Sequence, residues 1–356
     1  MRILLYGLNF EPELVGSGKF TGEMALHLAQ NGHDLRVVTA PPYYPAWRIQ
    51  PGYTAWAYQR EMQGDIRVLR CPLWVPAHPT GFSRLLHLFS FAIFSAPALL
   101  AQGRWQPQLI LAIAPTLTGA PAAWLCARLF GCPAWLHIQD FELDAALKLQ
   151  MVPGLRPLGR LLQRLEAWLL KRFDRVSTIS TRMQERLWQR GVSPHKTRLL
   201  PNWVDCQAIF PQPLPNSYRQ EWGIGDDQIL ALYAGSMGEK QGLELVIQAA
   251  QRLQEEPRIR FVLCGEGSSR ARLEGMAAGM SNLRFAPLQP TERLNELLNA
   301  ADIQLLIQRA DAADLVMPSK LNGMLASGKP VIATAEPGTE LARVISEVGL
   351  LIPPTD

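Results

Sequence analysis

Two doubly wound α/β domains facing each other across a cleft are the fold this sequence predicts. Its 356 residues are 48% hydrophobic, enough apolar side chain for two separate cores. Short apolar runs alternate with amphipathic stretches from end to end, the pattern of parallel strands joined by crossover helices. The alternation breaks once, between Pro201 and Pro215, where Pro211 and Pro213 also fall; this reads as a stiff linker. The expected domains are residues 1–205 and 206–356.

In the first domain, strands are expected near Arg2 to Leu8, Leu35 to Thr39, Ile66 to Arg70, Leu109 to Ala112, Ala134 to Ile138, Val176 to Thr178 and Arg198 to Leu200. Apolar residues recurring at three- and four-residue spacing predict helices near Lys19 to Asn31, Arg84 to Ala101, Pro121 to Phe130, Leu158 to Arg172 and Arg182 to Gln189. Beyond the linker the pattern restarts. Strands fall near Ile229 to Tyr233, Arg260 to Cys264, Ile303 to Ile307 and Val331 to Thr334, with helices near Leu243 to Leu253, Arg270 to Ala278, Arg293 to Ala300 and Lys320 to Ala326. A helix from Thr339 to Glu347 and a strand from Gly349 to Ile352 follow, and the sequence stops at Asp356. A sheet strand is a poor stopping place, so a C-terminal helical segment is expected to be absent.

Charged residues are 19% of the chain and the formal charge is only +4, which argues against a disordered or fibrous protein. Basic residues concentrate between Arg156 and Arg198. Such a run suits anionic lipid, a phosphorylated substrate or nucleic acid, and equally a solvated helix face. The five cysteines are odd in number and form no C-x-x-C pair, which fits a reducing cytoplasm rather than a disulfide or zinc framework. The N-terminal run lacks a cleavage pattern and reads as a first strand. Leu85 to Ala101 is interrupted by His87, Ser90, Ser95 and Pro97 and falls short of the ~20 apolar residues a spanning helix needs, so it is expected to be a buried or interfacial helix.

Ligands in open α/β sheets collect at the carboxyl ends of strands, where helix N-termini aim N–H groups at anions. The loop after the first strand carries Gly16-Ser17-Gly18; glycines let backbone approach a phosphate closely, or simply make the turn. In the second domain Gly235-Ser236-Met237-Gly238-Glu239-Lys240, Gly265-Glu266-Gly267 and Pro318-Ser319-Lys320 occupy equivalent places. A lysine at a helix entrance opposes the helix dipole. Lys240 is therefore either there for a bound diphosphate or solvated.

Taken in order, several segments resemble one family: the large group of retaining glycosyltransferases of the GT-B fold, called family four. In the first half they are Glu11-Pro12 through Gly18, Asn31-Gly32-His33-Asp34-Leu35, Ile179-Ser180 through Gly191-Val192 to Lys196, and Pro201-Asn202-Trp203-Val204-Asp205. In the second they are the Gly235 to Gly242 loop, Gly265-Glu266-Gly267 and Ala326-Ser327-Gly328-Lys329-Pro330-Val331. Within the group, Pro41-Pro42-Tyr43-Tyr44-Pro45, His137-Ile138-Gln139-Asp140 and Met317-Pro318-Ser319-Lys320-Leu321 look most like the colanic-acid type of exopolysaccharide transferase.

The resemblance implies a hexosyltransferase that moves sugar from a nucleotide diphosphate donor to a lipid-linked or saccharide acceptor at the cytoplasmic face of the membrane. It implies peripheral membrane contact, no nucleic acid partner, and no cofactor beyond the UDP- or GDP-sugar substrate. Lys240 falls at the donor-phosphate lysine and Asp140 at an acidic position near the reacting sugar. Gly16, Ser17 and Gly18 fall at the loop under the diphosphate, and Gly265 and Glu266 at the strand end near the base. The arginine that often accompanies the lysine is replaced by Ser236. The E-x7-E acids fall at Leu315 and Gly323, so Asp314, Ser319 and Lys320, with Asp311 nearby, are expected to rebuild the donor site. Gln139 stands where the family often has a histidine, with His137 two residues earlier; these two and Tyr43 and Tyr44 are expected on the acceptor side. Tyr43, Tyr44, Trp47, Tyr53, Trp56 and Tyr58 would stack on sugar or pack their own loop. No D-x-D sits at a suitable strand end, so no metal is expected. Two other readings stay open: a non-catalytic nucleotide-sugar sensor or partner subunit, and a sugar-nucleotide epimerase, which fits the Pro201 to Asp205 run poorly.

Overall fold

The computed structural model of the chain describes residues 1–13, 16–77, 79–114, 118–141, 156–309 and 318–354, with backbone alone for 156–160. It forms two compact units, Met1–Pro201 and Asn202–Asp356. The division comes after Pro201 rather than after Asp205. Val204 packs into the second unit's core, and the Asn202 carbonyl accepts the Asn322 amide at 2.9 Å.

The first unit runs β1 (Arg2–Gly7), α1 (Ser17–Gln30), β2 (Asp34–Thr39), β3 (Gln59–Gln63), β4 (Ile66–Arg70), α2 (Gly81–Ala101), β5 (Leu109–Ala114), α3 (Ala120–Phe130), β6 (Ala134–Ile138), α4 (Arg156–Arg172), β7 (Arg175–Thr178), α5 (Thr181–Gln189) and β8 (Thr197–Leu199). The eight-stranded sheet has the order β3-β4-β2-β1-β5-β6-β7-β8. Every pair is parallel except β3 with β4. The central strands are almost wholly apolar because both faces are covered, and Ile3, Leu5, Val37, Val68 and Ile113 form one core under α1.

Strand β3 is absent from the sequence-based expectation because its residues, Gln59-Arg60-Glu61-Met62-Gln63, are largely polar. It joins β4 through Gly64-Asp65, with Gly64 at φ 56°, the positive φ that tight hairpins require. The Gly-Asp pair was the available signal.

The second unit runs α6 (Ser217–Trp222), β9 (Ile229–Ala234), α7 (Glu244–Arg252), β10 (Ile259–Cys264), α8 (Arg270–Met276), β11 (Leu283–Ala286), α9 (Leu294–Ala300), β12 (Ile303–Leu306), α10 (Lys320–Ala326), β13 (Val331–Thr334), α11 (Glu340–Val348) and β14 (Gly349–Ile352). Its six-stranded sheet, β11-β10-β9-β12-β13-β14, is parallel throughout. Leu230, Leu232, Val262 and Tyr218 pack one face, and Tyr233, Leu263, Val246 and Ile247 the other. The buried Arg219 guanidinium stitches α6 to the sheet, donating to Asp302 at 2.8 Å and to the carbonyls of Gly225, Gln228 and Ala300. A buried cation paired with a carboxylate in this way is tolerated where an unpaired one is costly.

In each sheet the strand order reverses once, between β1 and β5 in the first unit and between β9 and β12 in the second. The carboxyl ends of those strands are where open α/β sheets take ligands.

Candidate functional site

In the first unit, the β1–α1 loop is held by a carboxylate. Glu13 is buried; its Oε2 accepts from Asn9 Nδ2 at 2.8 Å and its Oε1 from the backbone N–H groups of Tyr43 and Tyr44 at 2.9 Å. Ser17 Oγ donates to Asn9 Oδ1 at 3.3 Å. This network brings the predicted Gly16-Ser17-Gly18 and Tyr43-Tyr44 together. Burial raises the Glu13 carboxyl pKa, opposed by those hydrogen bonds. Gly16 is exposed at the start of α1 with φ 66°. Gly18 serves packing instead, since a Cβ there would lie 2.8 Å from the Glu13 side chain.

The aromatic loop divides. Tyr43 is only 4% exposed, its ring set edge-on to His87 of α2 and to Trp47, so it braces the loop from inside rather than offering a stacking face. Arg70 lies over Tyr53 and Arg84 over Trp47. Tyr44, Trp56 and Tyr58 remain exposed.

At the end of β6 the structure places His137 in the interior. The residue is fully buried, with Nδ1 2.9 Å from Ser177 Oγ and Nε2 3.0 Å from the Gln139 amide nitrogen. Burial pushes its pKa down to about 4, so the ring is neutral near pH 7 and out of an acceptor's reach. With Gln139 donating to Nε2, the ring proton sits on Nδ1 and goes to Ser177. His137 thus positions Gln139, itself buried, and the partly buried Asp140 follows directly.

In the second unit the carboxyl ends of β9 and β10 are locked together. Met237 N–H donates to the Glu266 carbonyl at 2.8 Å and Ser269 N–H to the Met237 carbonyl at 2.9 Å. A Cβ on Gly265 would lie 1.9 Å from the Gly235 carbonyl oxygen, and one on Gly267 2.4 Å from that of Met237. These glycines let two loops touch, a packing duty distinct from the ligand contact expected of Gly265. Gly265→Ala, at φ 146° and against backbone, is expected to destabilise the chain by at least about 2 kcal/mol. Thermal unfolding measures it, with Gly275→Ala, which meets nothing within 4 Å, as a neutral or stabilising control. Glu266 is exposed and paired with Arg270 at 2.7 Å.

Two lysines stand at this end of the sheet. Lys240 is exposed on the turn Glu239–Gln241 after β9, and its carbonyl accepts the N–H of Arg309, beyond the end of β12, at 3.0 Å. Lys320 opens α10; its ammonium lies 3.9 Å over the Tyr233 ring and 3.3 Å from where a Gly235 Cβ would be. Burial lowers its pKa to about 7, and no carboxylate among the described residues meets it. A desolvated ammonium without a counter-charge is costly, and an anion beside it relieves that cost. The Tyr233 hydroxyl donates to the Ser236 carbonyl at 2.5 Å, fixing the loop on which Ser236 is exposed. Ser319 is exposed and caps nothing. Asp311 and Asp314 lie outside the described residues; Gly323, at the second position where an acid was looked for, lies on α10. Sequence reasoning did not find Glu13, Tyr233 or Arg309. An acid in a glycine loop, beside Asn9, was a signal for Glu13, whereas Arg309 meets Lys240 only through sheet order.

Residues 15–203 match the glycosyl transferase 4-like domain, and residues 216–356 match glycosyl transferases group 1. The chain is 45% identical over 352 residues, 97% of its length and 86% of the relative's, to an Escherichia coli K12 protein, WcaI, named as a colanic acid biosynthesis glycosyl transferase. Among solved structures it is similar to sucrose-phosphate synthase of Thermosynechococcus elongatus, with TM-score 0.73 and 19% identity over all of this chain and 86% of that one. It is also similar to Alr3699/HepE of Anabaena, solved in complex with UDP, with TM-score 0.67, 16% identity and the same coverage.

Proposed function

The chain belongs to the glycosyl transferase 4-like family, and on that premise we propose that it is a retaining hexosyltransferase of cell-surface polysaccharide assembly. It takes sugar from a UDP- or GDP-sugar and passes it to a lipid-linked or saccharide acceptor. The family and the pair of Rossmann-like domains, the GT-B architecture, make it a glycosyltransferase. The observation that carries the donor reading is Lys320, a desolvated ammonium with no carboxylate partner among the described residues, beside the loop that bears Lys240. UDP bound by HepE and the colanic-acid role in the name of WcaI support the donor and pathway readings.

In the proposed reaction the donor C1–oxygen bond breaks while the acceptor hydroxyl oxygen forms its bond to C1 on the same face. The electron pair of the broken bond leaves with the diphosphate, and a leaving phosphate oxygen takes the acceptor proton. Charge therefore grows on the diphosphate, where Lys240, Lys320 and loop N–H groups act electrostatically; the Arg309 backbone N–H holds the Lys240 turn. Asp140, held at the end of β6 behind the His137–Gln139 pair, orients the acceptor hydroxyl or steadies positive character on the sugar. Ser236, Ser319 and Glu266 complete the donor side of the second unit, and Tyr44 of the first offers an exposed ring to the acceptor. The lysines supply the charge that a metal would, so transfer is expected to persist in a chelator. The work is done at the inner face of the membrane.

The full chain incubated with UDP- and GDP-sugars plus a membrane extract tests this. One donor is expected to be consumed only when lipid acceptor is present, and no acceptor-dependent turnover with any donor overturns it. Gly323, standing where the family has an acid, favours one rival, a non-catalytic nucleotide-sugar-binding partner. Donor binding without consumption is the outcome that would select it.

A further inference from the structure

Helix α2 breaks the usual rule that a surface helix is apolar on one side. Its inner side is buried through His87, Phe91, Ser95, Ala98 and Leu99, and Ser95 Oγ bonds the Tyr6 hydroxyl at 2.8 Å. Its outer side carries Phe82, Leu86, Phe89, Ile93 and Leu100, spaced by three, four or seven residues along one stripe and all exposed, Ile93 by 65%. Beside α2 packs α3, and beside α3 packs α4. Leu125 and Leu129 of α3 and Leu161, Leu165 and Trp168 of α4 are exposed as well.

The charges of these helices are one-sided. Across α2, α3 and α4 the sequence has seven Lys or Arg and a single acid, Glu166. Glu166 is buried and paired with Arg190 at 2.8 Å, so it presents no negative charge outward. Arg172 caps the Trp124–Trp168 pair at the edge of this face.

We propose that the outer face of α2, α3 and α4 docks on an anionic lipid bilayer, with the α2 stripe lying in the plane of the interface and Arg164, Lys171 and Arg172 of α4 at the headgroups. The inference rests on the lipid-linked acceptor reading and specifies where the membrane is met. A large exposed apolar patch marks an interaction surface, and apolar side chains beside Lys and Arg, with the one acid of the three helices buried and Asp174 spent on Arg128, fit anionic lipid better than a neutral protein partner. Although α2 is long and apolar enough to cross a bilayer, crossing would break its buried contacts with Tyr6 and with the Trp74 carbonyl, which His87 meets at 2.7 Å.

Sedimentation of the full chain with vesicles of phosphatidylcholine, alone or mixed with phosphatidylglycerol, tests the proposal. Binding is expected only with the anionic lipid and to weaken with salt. The double variant Phe89→Ser/Ile93→Ser is expected to lower partitioning by roughly 10-fold or more, with thermal midpoint and nucleotide affinity unchanged. Arg164→Glu is expected to weaken binding to the anionic vesicles. Equal binding by the double variant, or a stable dimer of the parent that the double variant dissolves, overturns the proposal. Vesicle binding without any sugar transfer would leave this surface standing and remove the catalytic reading, and lipid-dependent transfer without vesicle binding would do the reverse.

Discussion

Lys240→Met is expected to lower sugar transfer by roughly 10²–10³-fold, the usual cost of removing one group that meets charge developing in a transition state. Lys240 is exposed on a turn whose geometry is fixed by other groups, Gln241 Oε1 accepting the Gly238 N–H at 3.0 Å and Arg309 N–H donating to the Lys240 carbonyl. The side chain carries none of that, so the thermal midpoint should stay where it is. Charge on the diphosphate is larger as the bond to sugar breaks than in the bound donor, so kcat should fall more than donor KM rises. Steady-state kinetics at saturating acceptor separate the two. An unchanged kcat would remove Lys240 from the chemistry.

Lys320→Met is expected to raise stability and weaken nucleotide binding together. The folded-state pKa of Lys320 is pulled down to about 7 from the ordinary 10.5. Below about pH 7 both folded and unfolded chains hold the proton, and the folded chain bears the full penalty of a desolvated ammonium. Between about 7 and 10.5 the unfolded chain holds more protons than the folded one, so stability rises with pH. Methionine carries no charge to desolvate. Its advantage in thermal midpoint should therefore be largest below pH 7 and shrink as pH climbs toward 10.5. Affinity for uridine or guanosine diphosphate, whichever the parent binds, measured by calorimetry near neutral pH, should drop by roughly 10-fold or more for loss of one charge-assisted contact. A variant less stable than the parent at every pH, or one with full nucleotide affinity, would refute the assignment.

Most helices and parallel strands were legible because their signals are local: three- and four-residue spacing in α1, α3 and α5, and continuous apolar runs in β1, β5 and β9; the six-residue α6 was not, being too short for a repeat. Strands β3 and β11 escaped because an edge strand buries little and its sequence need not be apolar. The two lysines stand out in the sequence from their place at strand exits, which periodicity reveals. Their neighbours do not, since the contacts of Arg309 with Lys240 and of Lys320 with Tyr233 depend on β12 lying beside β9. The same holds for His137, which looks like a chemical group in sequence and is a buried brace because Ser177 of β7 faces it. Glycine misleads in a related way. Gly265 marks a close approach, but its nearest neighbour is another loop, and only coordinates say which.

The polar hairpin strand β3 has a consequence for how the first sheet ends. A parallel sheet that stopped at β4 would leave a row of unpaired N–H and C=O groups able to recruit a strand from another molecule. An antiparallel strand with Arg60 exposed and Glu61 bonded to Arg70 closes that side, and the opposite margin is the three-residue β8. One edge is charged and the other too short to template, which guards this first sheet against edge-to-edge pairing wherever many copies are crowded together.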